Sequence, residues 1–109
     1  MMLSLTELLS THPVFASLDG DTIDHLVKSS IERSYEKKTT VVRAEEIWPY
    51  FFIVIDGSIE AVKASPEGRN LLVSIFNPGD LFWGLAFFRE GAPMPVTLRT
   101  ERPSKISIW

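Results

Sequence analysis

Apolar residues follow two different rhythms along this chain, and the change of rhythm divides it. Leu5, Leu8 and Leu9 recur at helical spacing, and Pro13 stands where such a helix has to stop, so the pattern predicts a helix over about 5–11. Asp21 is a good N-cap with Asp24 three residues on, and Ile23, Leu26 and Val27 then form one apolar stripe, which predicts a second helix over about 21–30. From Tyr35 onward the punctuation is that of short β-strands separated by turn residues, the habit of sandwiches, barrels and jelly rolls.

Within that β-rich part, Thr39 to Arg43 is β-branched, and Tyr50 to Ile55 is continuously apolar, which predicts burial on both faces. Asp56-Gly57 reads as a turn into Ser58 to Lys63, and Ser65-Pro66-Glu67-Gly68 as a type I turn into Leu71 to Phe76, with Leu71, Val73 and Ile75 on one face. Asn77-Pro78-Gly79-Asp80 is the next turn. Leu81 to Phe88 is a compact apolar block that interrupts the β rhythm, with a short helix expected near Leu85 to Phe88. After Ala92-Pro93-Met94-Pro95, alternation returns at Val96 to Thr100 and at Lys105 to Trp109. The expected core includes Ile53, Ile55, Leu71, Val73, Ile75 and Phe82.

Composition narrows the function. A chain of 109 residues with 45% hydrophobic and 23% charged residues is an ordinary globular domain, with one core and no linker, repeat or low-complexity stretch. The longest apolar stretches fall well short of the roughly 20 residues of a membrane helix, and no basic cluster precedes the first leucines, so a cytoplasmic protein without membrane contact is expected. Zero cysteines remove disulfides, thiolate metal sites and cysteine nucleophiles. A net charge of -3, with Lys37-Lys38 the only basic doublet, argues against direct nucleic-acid binding.

Catalytic chemistry finds no foothold: no nucleophile with a base, no phosphate-cradling glycine loop, and no carboxylate pair, since Glu45 and Glu46 would point to opposite faces of a strand. The chain is therefore read as a non-enzyme. His12 and His25 lie in the helical part rather than converging from strands as a metal-binding cupin requires. They are expected to be surface or capping residues, with a heme ligand as the alternative.

Taken in order, several of these punctuation marks resemble the cyclic nucleotide-binding domain of Crp/Fnr-type transcription regulators. Phe15-Ala16-Ser17-Leu18 is similar to that family's Phe-x-x-Leu after the first helix, and Tyr50 to Ile59 to its strand, glycine turn and return strand. Ser65 to Arg69 sits at its next hairpin, and Asn77-Pro78-Gly79-Asp80-Leu81-Phe82 is similar to the Pro-Gly-Asp-x-Phe that leads into its phosphate-binding cassette. The resemblance implies a mainly β fold, a double-stranded β-helix or jelly roll with short N-terminal helices. It implies one sensor domain over 1–109, helical to about residue 31 and a β-roll over 35–109. The family's dimer helix and helix-turn-helix would follow this segment, so the parent protein is expected to be a homodimer through a helix not present here.

The same resemblance exposes what differs. The family's cassette reads Phe-Gly-Glu-x-Ala-Leu, then Arg-Ser or Arg-Thr followed by Ala, the arginine on the cyclic phosphate and the glutamate on the ribose. Here Phe82, Trp83, Gly84, Leu85 and Ala86 stand in the first part and Met94, Pro95 and Val96 in the second, with Trp83 at the glycine, Gly84 at the glutamate and Met94-Pro95 at the arginine-serine. A phosphate charge needs a cation or amide donors in a partly buried pocket, and Met-Pro supplies neither. Trp83 and Met94 are expected to fill the space instead, with Arg89 and Arg99 solvated. Two glycines that the family keeps appear as Lys38 and Glu45, which implies altered turns. Three readings follow: a degenerate sensor domain with an unknown small-molecule effector or none, a cyclic nucleotide binder with a rearranged site, and a structural or interaction module. The first is favoured, with no cofactor expected.

Overall fold

The computed structural model describes residues 4–84, 86 and 89–109. Two helices, α1 (Leu5–Thr11) and α2 (Gly20–Ser29), precede six strands: β1 (Ile31–Tyr35), β2 (Thr40–Val42), β3 (Phe51–Ala64), β4 (Asn70–Phe76), β5 (Leu81–Trp83) and β6 (Thr97–Ile108). Both expected helices form, with α2 starting earlier than the stripe implied. Its N-cap is Asp19, not Asp21: the Asp19 carboxylate accepts the Thr22 N–H at 2.8 Å, which holds its pKa below the usual value. α1 opens on a reciprocal capping box between Ser4 and Glu7. Among the described residues no helix is long and apolar enough to cross a membrane.

The strands form one antiparallel sheet built on a central ribbon, β3 against β6, curled into a roll. β1 and β2 follow one another along the outer edge of β6, and β5 and β4 along the outer edge of β3. Two readings are corrected by this ribbon. Asp56-Gly57 does not reverse the chain, and Val96 to Thr100 and Lys105 to Trp109 are not separate strands. β3 and β6 each run straight through, with register shifts between Val54 and Ile59 that absorb the irregularity. Gly57 makes this bend feasible. It adopts φ 92°, and a Cβ there would collide with the Ser104 hydroxyl and the Pro103 carbonyl. Ser104 Oγ accepts the Ser58 N–H at 3.0 Å and donates to the Arg102 carbonyl at 2.7 Å, so the two strands are stitched where they bend.

Alternation along β3 divides the core into two layers. Phe52, Val54, Ile59 and Ala61 face the inside of the roll with Val42, Met94, Leu98, Ile106 and Ile108. Phe51, Ile53 and Ile55 face the helices, with Leu8, Leu9, Phe15 and Ile23. This double burial is why the run from Phe51 to Ile55 carries no polar alternation, while Tyr50, expected to be buried with it, precedes the strand and is 45% exposed. Ile53 and Ile55 are core as expected, and Phe82 is half-buried against the inner layer.

Leu71, Val73 and Ile75 are not core. They are 54%, 58% and 44% exposed, because β4 is an edge strand paired only with β3 over Ile59 to Ala64, and the two helices cover the other end of the sheet. β1 was missed by pattern. Its Glu32 and Ser34 alternate with Ile31, Arg33 and Tyr35, but only Tyr35 is even half-buried, so the apolar signal is too thin. The helical block expected near Leu85 to Phe88 lies outside the described residues except for Ala86, which is helical and buried.

Lys38 and Glu45 overturn the expectation of altered turns. Both adopt left-handed conformations, φ 58° and 73°, so the turns keep a glycine-like geometry without glycine. Each is held by the sheet: Lys38 N–H donates to the Thr100 carbonyl at 2.9 Å and Glu45 N–H to the Met94 carbonyl at 2.8 Å. Buried Thr100 ties the same β1–β2 turn through its hydroxyl, which donates to the Glu36 carbonyl at 2.6 Å and accepts the Thr39 N–H at 2.9 Å.

Four substitutions test this architecture by denaturant unfolding. Ile53→Ala costs about 2–5 kcal/mol, while Val73→Ala stays within about 0.5 kcal/mol. Gly57→Ala costs about 2 kcal/mol or more, since the added Cβ has to displace backbone. Lys38→Gly leaves stability unchanged or raises it by up to about 1 kcal/mol, because relief of the left-handed strain offsets glycine's entropy. A large loss there would show that the side chain itself holds the turn.

Candidate functional site

β5 carries the start of the cassette, and its pairing fixes where each side chain goes. Phe82 lies opposite Phe52 and Trp83 opposite Phe51, so the two aromatic residues fall on opposite faces of the sheet. Phe82 turns inward, stacked on Phe52 with centroids 5.5 Å apart and edge-on to Phe76 at 5.3 Å. Trp83 turns toward the helices, where it stacks on Phe51 at 4.3 Å. On the β6 side of the same ring stands Trp109, nearly parallel at 4.8 Å, with its indole N–H donating to the Leu26 carbonyl at 2.8 Å. Trp83 therefore does not fill the nucleotide space. It belongs to the layer that docks the helices on the roll.

The decisive contact is at Gly84. It is buried, its N–H donates to the Tyr50 carbonyl at 2.7 Å, and any Cβ would collide with the Trp48 carbonyl and lie 2.9 Å from the Tyr50 carbonyl. The backbone of residues 48–50 thus occupies the volume into which a side chain at position 84 would project. Only glycine fits here, and two carbonyl oxygens converge on the position where the sequence resemblance expects the family's glutamate.

Met94 takes up the interior. It is 1% exposed within the inner layer, and its backbone is bonded on both sides to the β2–β3 loop, donating to the Glu46 carbonyl and accepting from Glu45 N–H, each at 2.8 Å. Pro93 bridges Ile47 next to it. Pro95 is exposed, and Val96 is half-buried against the inner layer. Of the cassette residues singled out from sequence, Phe82, Met94 and Val96 share the inner side, Trp83 lies on the other side of the sheet, and Ala86 is buried. Leu85 lies outside the described residues.

What remains open at the surface is a hollow of about 390 Å³ bordered by Glu45, Arg89, Glu90, Ala92 and Met94. Two acidic residues and one arginine border it, a charge balance that disfavours a phosphate. Arg99 is engaged elsewhere, its Nε bonded to Glu60 at 3.1 Å across the ribbon, so it is paired rather than simply solvated. His12 is the C-cap of α1 and its Nδ1 accepts the Val14 N–H at 3.1 Å, while His25 is exposed on α2. Among the described residues no three His, Asp or Glu side chains come close enough to hold a metal ion.

A second concavity was not foreseen. About 280 Å³ lie between the face of β1 that carries Ile31, Arg33 and Tyr35 and a wall formed by Trp48 and Tyr50, with Val41, Ile108 and Trp109 completing it. The period-2 placement of Arg33 between Ile31 and Tyr35 is the sequence signal that could have found it.

Comparison with known proteins agrees with this architecture. The family model described as the cyclic nucleotide-binding domain matches residues 32–109. The chain is 26% identical over 87 residues to a CRP-like cAMP-activated global transcriptional regulator of Mycobacterium tuberculosis, an alignment that covers 80% of this chain and 39% of that protein. It is 30% identical over 71 residues to the cAMP-activated global transcriptional regulator Vfr of Pseudomonas aeruginosa, covering 64% and 33%. The chain thus spans well under half the length of these relatives.

Among solved structures, the N-terminal domain of a Streptomyces coelicolor transcriptional regulator superposes with a TM-score of 0.83 at 22% identity, over 94% of this chain and 72% of that one. The sensor domain of the regulator DNR from Pseudomonas aeruginosa gives 0.83 at 23%, over 94% and 69%. The matched residues take in β1 from Glu32 onward, the other five strands, the cassette and the turns that position it, and the chain belongs to the cyclic nucleotide-binding domain family.

Proposed function

We propose that this chain is the sensor domain of a Crp/Fnr-like transcription regulator whose cassette has stopped holding cyclic nucleotide in the family's usual way. The observation that carries the reading is the contact of Gly84 with the carbonyls of Trp48 and Tyr50. Carbonyl oxygens cannot donate to a phosphate, and they stand where the glutamate that accepts from a ribose would have to project. Met94, buried at the aligned arginine position, supports the same reading, because an arginine there would have to enter an apolar interior. The domain works as a binding and transmitting module without catalysis or a resident cofactor, in a cytoplasmic protein. DNA binding and dimerisation belong to other parts of the full regulator, in keeping with relatives of which the alignment covers only 39% and 33% and with a net charge of -3.

The second reading, a nucleotide binder with a rearranged site, draws on the relatives described as cAMP-activated. Thermal unfolding separates the two. A ligand at a thousandfold excess over its Kd adds about 4 kcal/mol to folding stability, on the order of 15 °C or more for a domain of this size. Millimolar cyclic AMP or cyclic GMP is expected to leave the Tm unchanged. A saturable rise of several degrees with either nucleotide would favour the rearranged site and reject the closed cassette.

A further inference from the structure

We propose that the concavity between β1 and the Trp48–Tyr50 segment is a binding site for a small aromatic carboxylate, held by the guanidinium of Arg33 and stacked on the aromatic wall. The site lies outside the cassette, and the inference goes beyond the closed-cassette reading.

Its construction follows from strand geometry. β1 is an edge strand paired with β6, Ile31 opposite Ile108 and Arg33 opposite Ile106, so Ile31, Arg33 and Tyr35 project from one face. Glu32 and Ser34 project from the other, and Glu32 is paired there with Lys105 at 3.1 Å. The acid nearest in sequence is therefore turned away from Arg33 and already neutralised. Among the described residues no carboxylate lies within ion-pair distance of Arg33, and none lines the concavity. A cation at the wall of a mixed polar and aromatic hollow that holds no protein counter-ion favours an anion by charge complementarity.

The remaining walls define the rest of the ligand. Tyr35 is half-buried, and burial pushes its hydroxyl's pKa up while the Arg33 charge opposes the shift, so it stays a protonated donor beside the guanidinium. Trp48 and Tyr50 meet edge to face, centroids 5.7 Å apart, and Tyr50 and Ile31 are 45% and 58% exposed at the rim. Large apolar side chains left exposed around a hollow that contains one cation fit a planar ring bearing a carboxylate. About 280 Å³ is at the lower end of ligand pockets, room for one or two rings.

Calorimetric titration of the chain with indole-3-carboxylate tests this, with indole-3-carboxamide and cyclic AMP as separate ligands. Saturable binding of the carboxylate is expected, weakened tenfold or more both for the carboxamide and in Arg33→Gln. Because Arg33 is exposed on an edge strand, that variant keeps its fold, and an unchanged Tm verifies it. The Trp48 indole N–H resonance should shift on titration in the parent chain. No binding at millimolar carboxylate overturns the proposal, as does equal affinity for acid and amide or full retention in Arg33→Gln. Cyclic AMP binding would instead contradict the closed cassette and leaves this site to be judged by the carboxylate alone.

Discussion

The close approach of Gly57 to Ser104 governs this molecule. The two longest strands meet there with no room for a side chain between them, and the pairing continues on both sides, from Phe52 opposite Ile108 to Val62 opposite Thr97. Every other strand hangs on this ribbon: β1 and β2 on β6, β5 and β4 on β3. Because the ribbon bends at one place, the alternation on each side of the bend decides which side chains enter the roll and which meet the helices, Phe52 and Val54 entering before it and Ile59 and Ala61 after it. Phe51 and Phe52 are neighbours in sequence and belong to different cores for this reason alone.

The fate of the cassette follows from that alternation. β5 joins β3 in a register that sends Phe82 inward and Trp83 outward, and the next residue, Gly84, is drawn under the segment that leads into β3. Its hydrogen bond to Tyr50 and the neighbouring Trp48 carbonyl fix the loop against the cassette. Met94, bonded at both backbone groups to the β2–β3 loop, closes the other side. On the proposed reading, the residues that stand at the family's ligand positions and the close backbone packing at Gly84 belong to one arrangement. The same segment, through the outer surfaces of Trp48 and Tyr50, forms a wall of the concavity that Arg33 overlooks.

Much of this is legible in the amino-acid sequence. The helices, the buried run from Phe51 to Ile55, and the turns at Ser65 to Gly68 and Asn77 to Asp80 follow from local chemistry: helical spacing, unbroken apolarity, and proline and glycine at defined turn positions. What stayed hidden depended on partners far away in sequence. Asp56-Gly57 carries the signature of a hairpin, yet its glycine serves a close approach to Ser104, 47 residues later. Leu71, Val73 and Ile75 alternate like a buried face, but burial requires something to cover it, and the helices lie at the other end of the sheet. Lys38 and Glu45 show the reverse case: tertiary hydrogen bonds impose a backbone that their side chains disfavour. For the candidate site, the residues standing at the family's ligand positions were readable from the sequence itself. The side on which Trp83 lies was not, because it is set by a pairing register that no short window contains.

The central claim is that backbone carbonyls, not an empty pocket, occupy the place of the nucleotide-binding glutamate. Amide resonances of Gly84 and Met94 report on it directly, since both N–H groups are committed to carbonyls of the 46–50 segment. With millimolar cyclic AMP added, the account predicts that both resonances stay in place and that both amides keep slow hydrogen exchange. A saturable shift of the two, with loss of their protection, would show the segment opening to admit the nucleotide and would contradict the account.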